Sequence, residues 1–270
     1  MERIILKLGG SVITKKDSAK FPMHIDEIKK CGDDYIRTGD ARRLGNEIYE
    51  ATQERDIQLV LVNGVGPFGH FLVKNWDKLD DKAMVHESVK LLNERLIEIM
   101  ERCGLKIRSF APFDSRREDG IYSVYRIWGV GAGILNEGKI FSTYGDIVPD
   151  ASSEQSRKYG YRVVSGDELV VEIAKLWEPD KIIMATDVDG IFTENPHIDK
   201  NAKLIKKFHG SEKVDFSLNK AIDVSGEMGG KVDKLLKSGV KSQIVNGLVA
   251  GNVKSALLGD ESIGTLILTE

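Results

Sequence analysis

Four glycine-rich clusters carry the residues of this chain that could do chemistry. Lys7-Leu8-Gly9-Gly10-Ser11 sets a lysine beside two glycines, and Lys16 follows on the same loop. Asn63-Gly64-Val65-Gly66-Pro67-Phe68-Gly69-His70 is a turn whose glycines leave backbone N–H groups open to an anion. Thr186-Asp187-Val188-Asp189-Gly190 supplies two carboxylates. Gly229-Gly230-Lys231 places a cation at the start of a helix, whose N-terminus also attracts anions. Backbone donors, fixed cations and a carboxylate to organise a lysine or Mg²⁺ are what phosphoryl transfer requires. Any one of these lysines reads as an exposed solubilising residue. Their joint placement at strand ends points to phosphate.

Other chemistries fit less well. Gly64-x-Gly66-x-x-Gly69 matches a dinucleotide fingerprint, but Pro67 sits inside the turn. The next apolar run ends in Arg108-Ser109-Phe110, without the acidic residue that would hold a ribose. The loop at 9–15 lacks Walker A spacing, and protein-kinase signatures are absent. No Gly-x-Ser-x-Gly elbow supports a serine hydrolase, and His70, His86, His197 and His209 are scattered. Phosphoryl transfer remains.

Hydrophobic periodicity supplies the elements that must hold these clusters. Residues 4–8 and 57–62 are short β-branched runs that read as buried strands, each leading into a glycine cluster. Leu44, Ile48 and Ala51 predict a helix over 40–55, and Val85, Val89, Leu92, Leu96 and Ile99 predict another, ended by Gly104. Further strands are expected at 106–110, 141–144, 161–164, 181–185, 242–245 and 265–268, with helices over 168–176 and around Val232, Leu235 and Leu236. The polar stretch 150–158 reads as a surface turn or hairpin. Alternating strands and helices predict an α/β fold with a largely parallel sheet covered on both faces. In such sheets ligands collect beyond the carboxyl ends of the strands, where the clusters fall.

Bulk properties set the class. The 270 residues can bury a substantial core. A formal charge of −3 provides no general basic field for nucleic acid. No segment is long enough to span a membrane, and Cys31 and Cys103, the only cysteines, suit a reducing cytosol. The expectation is a soluble cytoplasmic protein.

The ordered clusters resemble the amino acid kinase superfamily, and most closely its isopentenyl phosphate kinase branch. The series includes Lys7 to Lys16, Phe68-Gly69-His70, Tyr144-Gly145-Asp146, Ser165-Gly166-Asp167 and Thr186-Asp187-Val188-Asp189-Gly190-Ile191. It continues through Asp223-Val224-Ser225-Gly226-x-Met228-x-Gly230-Lys231 and Asn246-Gly247. The resemblance implies a single domain over residues 1–270, a three-layer αβα sandwich with a mainly parallel central sheet. Roughly 1–165 would bind the phosphate acceptor and roughly 166–270 would bind ATP. It also implies ATP and Mg²⁺ as cofactors, a small-molecule phosphate acceptor as substrate and a homodimer.

Carried over by motif, Lys7 and Lys16 would steady the transferring phosphoryl group. Asn63 and Asp146 complete the expected catalytic set, with Asp146 or Asp167 orienting the lysines. Gly9, Gly10, Ser11, Gly66, Asp187, Gly226 and Lys231 would face ATP. Gly64, Val65, His70, Gly166 and Asp167 would face the acceptor.

Three departures stand out: Asn63 where the family has histidine, Pro67 where it has serine, and Glu227 where it has a second glycine. An amide cannot add positive charge, and charge-assisted hydrogen bonds are roughly twice as strong as neutral ones. Asn63→His is therefore expected to raise activity on isopentenyl phosphate if the acceptor site is otherwise intact. Glu227 is expected to point to solvent. Phe113, Tyr122, Tyr125 and Trp128 are candidates for an altered acceptor pocket. The readings are an isopentenyl phosphate kinase, a kinase of the same fold with another acceptor, and a nucleotide-binding regulator of weak or lost turnover.

Overall fold

The computed structural model describes residues 1–15, 20–194, 201–209 and 226–269. Its strands are β1 (Glu2–Leu8), β2 (Ile57–Asn63), β3 (Ile107–Ser109), β4 (Ile140–Tyr144), β5 (Asp146–Val148), β6 (Arg162–Val164), β7 (Lys181–Thr186), β8 (Ile191–Phe192), β9 (Leu204–Ile205), β10 (Lys207–His209), β11 (Ser242–Asn246) and β12 (Thr265–Leu268). Its α-helices are α1 (Gly10–Ile13), α2 (Ile25–Cys31), α3 (Thr38–Glu54), α4 (Gly66–Lys74), α5 (Met84–Glu101), α6 (Val124–Asn136), α7 (Glu154–Tyr159), α8 (Gly166–Trp177), α9 (Gly226–Ser238) and α10 (Asn252–Leu257).

Eight strands form one sheet in the order β10-β12-β11-β7-β1-β2-β4-β3. Among the described residues of this sheet, only the β11–β12 pair is antiparallel. β1 lies at the centre, with Leu8 level with Asn63 of β2 on one side and Ala185 of β7 on the other. Side chains alternate across the sheet, as the period of two demands. Ile4, Leu6 and Leu8 face a core shared with α3, α4, α5 and α10, while Ile5, Val60 and Val62 face a second core under α6, α8 and α9. The result is a three-layer αβα sandwich. Burial of each large aliphatic residue in either core contributes about 1.5–3 kcal/mol.

Two expectations needed correction. The run at 161–164 does form a strand, but β6 pairs antiparallel with β5 in a separate hairpin and stays out of the main sheet. The polar stretch after Asp150 contains a helix, α7, rather than only a turn. Ser153 caps its start by accepting from the Ser156 N–H, and Gly160 ends it at φ 83°. Local capping thus gives a helix where apolar periodicity gives no signal.

Candidate active site

The parallel strands end together, and β1, β2 and β7 hand carbonyls at or next to their last residue to the loops of their neighbours. Gly9 N–H donates to the Ala185 carbonyl (2.8 Å), Gly64 N–H to Leu8 (2.7 Å), Gly145 N–H to Asn63 (3.2 Å) and Gly247 N–H to Thr186 (2.7 Å). These bonds line up four loops along the carboxyl edge. The loop after β1 and the turn after β2 then meet backbone to backbone: a Cβ on Gly10 would lie 2.5 Å from the Gly66 nitrogen. Gly66 itself has φ +46°, and a side chain there would strike Thr14. Glycine is required at this crossing by space as well as by backbone conformation.

Above the crossing opens a cavity of about 940 Å³. Lys7, Gly9, Gly10 and Ser11 form part of its floor. Gly64, Val65, Gly66 and His70 come from the turn and the start of α4. Asp146 comes from β5, Gly166 and Asp167 from the first turn of α8, Asp187 from the loop after β7, and Lys231 from α9. The fold thus brings together thirteen of the residues singled out by sequence. Lys16 lies outside the described residues. Gly226 is described only as the first residue of α9, and the side chain of Glu227 is likewise outside the description.

The decisive pair on the floor is Lys7 and Asp167. Lys7 Nζ lies 2.6 Å from Asp167 Oδ1, and both side chains are largely shielded from solvent. Burial pushes the Lys7 ammonium below the usual lysine range against the opposing pull of Asp167, and the nearby charges of Lys231 and Lys234 push it the same way. Burial also works against ionisation of Asp167, but the charge and hydrogen bond of Lys7, with Lys231 and Lys234, outweigh it and hold the carboxyl below its ordinary value. Asp167 is therefore ionised at neutral pH, and its contact fixes Lys7 Nζ in place. Ser165 caps α8, accepting from the Glu168 N–H (3.1 Å) and from Lys234 Nζ (3.3 Å). On the other side Ser11 Oγ donates to Asp187 Oδ1 (2.8 Å), tying the first loop to the β7 loop.

Two expected roles change. Among the described residues Asp146 meets no lysine. Its carboxylate meets Nδ1 of His86 (2.9 Å) and accepts from the N–H groups of Ile147 (2.8 Å) and Phe113 (3.3 Å). Burial raises its pKa, opposed by these partners. Asp167, at the head of α8, is the carboxylate within reach of Lys7. Asn63, expected in the catalytic set, is absent from the cavity wall. Its side chain is fully buried on the α5 side of β2, where Nδ2 donates to Asn93 Oδ1 (3.1 Å). As the last residue of a strand whose period is two, position 63 shares the inward face of Leu59 and Leu61. The expected gain from histidine at 63 therefore loses its premise.

The aromatic candidates do not line the cavity either. Phe113 stacks on His86, Tyr122 donates to Glu172, Tyr125 is exposed and Trp128 leans on Trp177. The apolar wall is instead Phe71, Val73, Val85, Val89, Ile147 and Val163. Val85 and Val89 were visible as a helical stripe but read as core. Lys234 was also missed, though it sits one helical turn after Lys231 and so shares its face.

The sequence matches the amino acid kinase family over residues 2–246. The chain belongs to that family. Among its relatives, the isopentenyl phosphate kinase of Methanothermobacter thermautotrophicus is 32% identical over 98% of both chains. The isopentenyl phosphate kinase of Methanocaldococcus jannaschii is 28% identical over 95% of both. A solved isopentenyl phosphate kinase structure superposes with a TM-score of 0.76 at 29% identity, covering 98% of this chain and 100% of the other. Lys7 and Asp167, which line the cavity together, both fall within the matched residues.

Proposed function

We propose that this amino acid kinase transfers the γ-phosphoryl group of ATP to isopentenyl phosphate, giving isopentenyl diphosphate and ADP. The carrying observation is the Lys7–Asp167 pair, set between glycine loops and an apolar wall in one cavity. Relatives matched along nearly their whole length are named for the same acceptor.

In this reading an oxygen of the acceptor phosphate attacks the γ-phosphorus, and the bond to the β–γ bridging oxygen breaks as ADP leaves. Charge builds on the equatorial oxygens of the moving group. Lys7 meets that charge, and Asp167 holds the ammonium so that no reorganisation is needed during transfer. The amides of Val65 and Gly66 hold the acceptor phosphate, helped by the N-terminus of α4. Pro67 withholds one N–H from that set. Lys231 and Lys234 attract the nucleotide phosphates, and Ser11 with Asp187 orders the loop beneath them. Lys16 is retained as a second cation toward the transferring group.

The apolar wall of Phe71, Val85, Val89, Ile147 and Val163 takes the hydrocarbon tail. It also excludes water, the competing nucleophile. Among the described residues no group of three histidine, cysteine or carboxylate side chains is placed to cage a metal. That donor set suits a Mg²⁺ ion carried in by phosphate oxygens, with Asp187 the carboxylate on the nucleotide side. When bound, the ion would neutralise β- and γ-phosphate charge.

We assign acceptor binding to roughly residues 1–165 and ATP binding to roughly 166–270. The two parts meet in the cavity, where Gly166 and Asp167 of the second lie against Lys7 of the first. A cytoplasmic homodimer completes the reading. Cys31 and Cys103 are both unbridged, and no helix among the described residues is long and apolar enough to cross a membrane.

The test is to follow ADP release with ATP, Mg²⁺ and isopentenyl phosphate, and to identify the diphosphate by ³¹P NMR. Turnover with another phosphate monoester but not this one would move the acceptor assignment. ATP binding without turnover across an acceptor panel would leave a regulatory protein. Light scattering after gel filtration tests the dimer.

A further inference from the structure

Beneath the acceptor turn runs a buried chain of polar side chains that the reaction does not use. Asn63 ends β2 and donates from Nδ2 to Asn93 Oδ1 of α5 (3.1 Å). Asn93 in turn donates from Nδ2 to Ser109 Oγ of β3 (2.9 Å). Both asparagines are almost completely buried, at 1% and 4% exposure. Asn63 Oδ1 is buried as well and has no hydrogen-bond partner among the described residues. A buried amide that loses its partner costs its full desolvation, so the bond from Asn63 to Asn93 resists rotation of either group.

The placement of this chain gives it meaning. Residue 63 is immediately followed by the turn 64–66, and its carbonyl accepts from Gly145 N–H beside Gly166 and the Lys7 stem. α5 carries Asn93 on the same helix as Val85 and Val89 of the apolar wall and His86, the partner of Asp146. One hydrogen bond therefore joins the turn assigned to the acceptor phosphate to the helix assigned to the acceptor tail.

We propose that Asn93 is a positioning residue for the acceptor: through Asn63 it fixes the turn 64–66 against α5. Its effect on the reaction rests on the phosphate-acceptor reading above. Its effect on the geometry does not. Asn63 then acts through its backbone and its anchor, and the acceptor phosphate is gripped by turn amides and lysines.

The test compares Asn93→Ala, Asn63→Ala and the double variant, with Ser109→Ala as a milder change that leaves the Asn63–Asn93 bond intact. Should Asn93→Ala fold poorly, Asn93→Ser serves in its place. Each asparagine single is expected to raise the KM for isopentenyl phosphate about tenfold, the loss of one hydrogen bond's contribution. The KM for ATP should not move. The double variant should be no worse than either single, because both remove the same bond.

Unchanged acceptor KM in folded variants, multiplying effects, or a parallel rise in ATP KM would each overturn the proposal. If the wild type does not turn over isopentenyl phosphate, the functional reading fails separately. Crystal structures of Asn93→Ala and the wild type then decide the inference: displacement of side chain 63 and the turn 64–66 supports it, and an unmoved turn defeats it.

Discussion

At the scale of single residues, the site depends on Lys7 keeping its charge in a place that disfavours charge. Lys7→Met keeps the stem's bulk and removes the cation. It is expected to lower kcat by about 10²–10³-fold, the usual loss when one preorganised stabiliser is removed, with a smaller change in ATP binding. Steady-state kinetics with saturating ATP checks this. Asp167→Asn is expected to cost stability as well as rate, by about 3–5 kcal/mol, because it leaves a buried cation without its counter-charge. The pH dependence follows from the lowered carboxyl pKa. Asp167 contributes stability above its ordinary value of 3.8, and that contribution disappears as pH falls through the still lower folded value. The gap in denaturant stability between wild type and Asp167→Asn should therefore be steady near neutrality and close below pH 3.8. A gap that persisted into strong acid would mean that the carboxylate is not the source. Lys7, Gly9, Gly10, Asp167 and Asp187 were legible in the sequence because residue type and strand-end position identify them together. Asn63 was not, since one residue's shift in strand phase turns a side chain from ligand to core and no composition reports it. Asp146 was legible as a cavity residue, but its partner His86 lies sixty positions away and had no local signature.

At the scale of elements, the loops of the site are held by distant helices. Glu47, almost completely buried on α3, accepts from the N–H groups of Gly251 (3.0 Å), Val253 (3.1 Å) and Lys254 (3.1 Å) at the start of α10. Arg43 completes the clamp, bonding Glu47 (2.6 Å) and the Gly247 carbonyl (2.6 Å) just past β11. Glu47→Ala strands three amide donors and takes one of the partners of Arg43. It should lower stability by about 2–4 kcal/mol, with each orphaned donor contributing up to a few kcal/mol and partial access of water offsetting the rest. Chemical denaturation measures it, and a loss under 1 kcal/mol would show that the helix start finds other partners. Helices α3 and α5 were legible because their apolar stripes are long. α7 and α10 were not, because six residues held by caps and by a remote carboxylate leave no periodic trace. Likewise β6 could be read as a strand but not as a member of a separate hairpin, since pairing partner and direction are tertiary choices.

At the scale of the whole molecule, alternation of strands and helices was enough to specify the three layers, and clustering of glycines at strand ends was enough to specify the edge that binds ligand. Neither specified the order of the strands. That order has a consequence for how the chain comes to be folded. β1 sits between β2 and β7, so one side of the central strand can be completed early and the other only after residue 181 exists. During synthesis at about 5–20 residues per second, the exposed flank of β1 waits on the order of ten seconds for its partner. A fragment ending before β7 should therefore aggregate on expression, whereas the full chain should not, as sedimentation of the two would show. The strand that carries the phosphate-binding lysine thus precedes the other strands of the sheet in sequence, yet it is enclosed only after β2 and β4. A chaperone that shields an open strand edge is therefore expected to raise the yield of this protein.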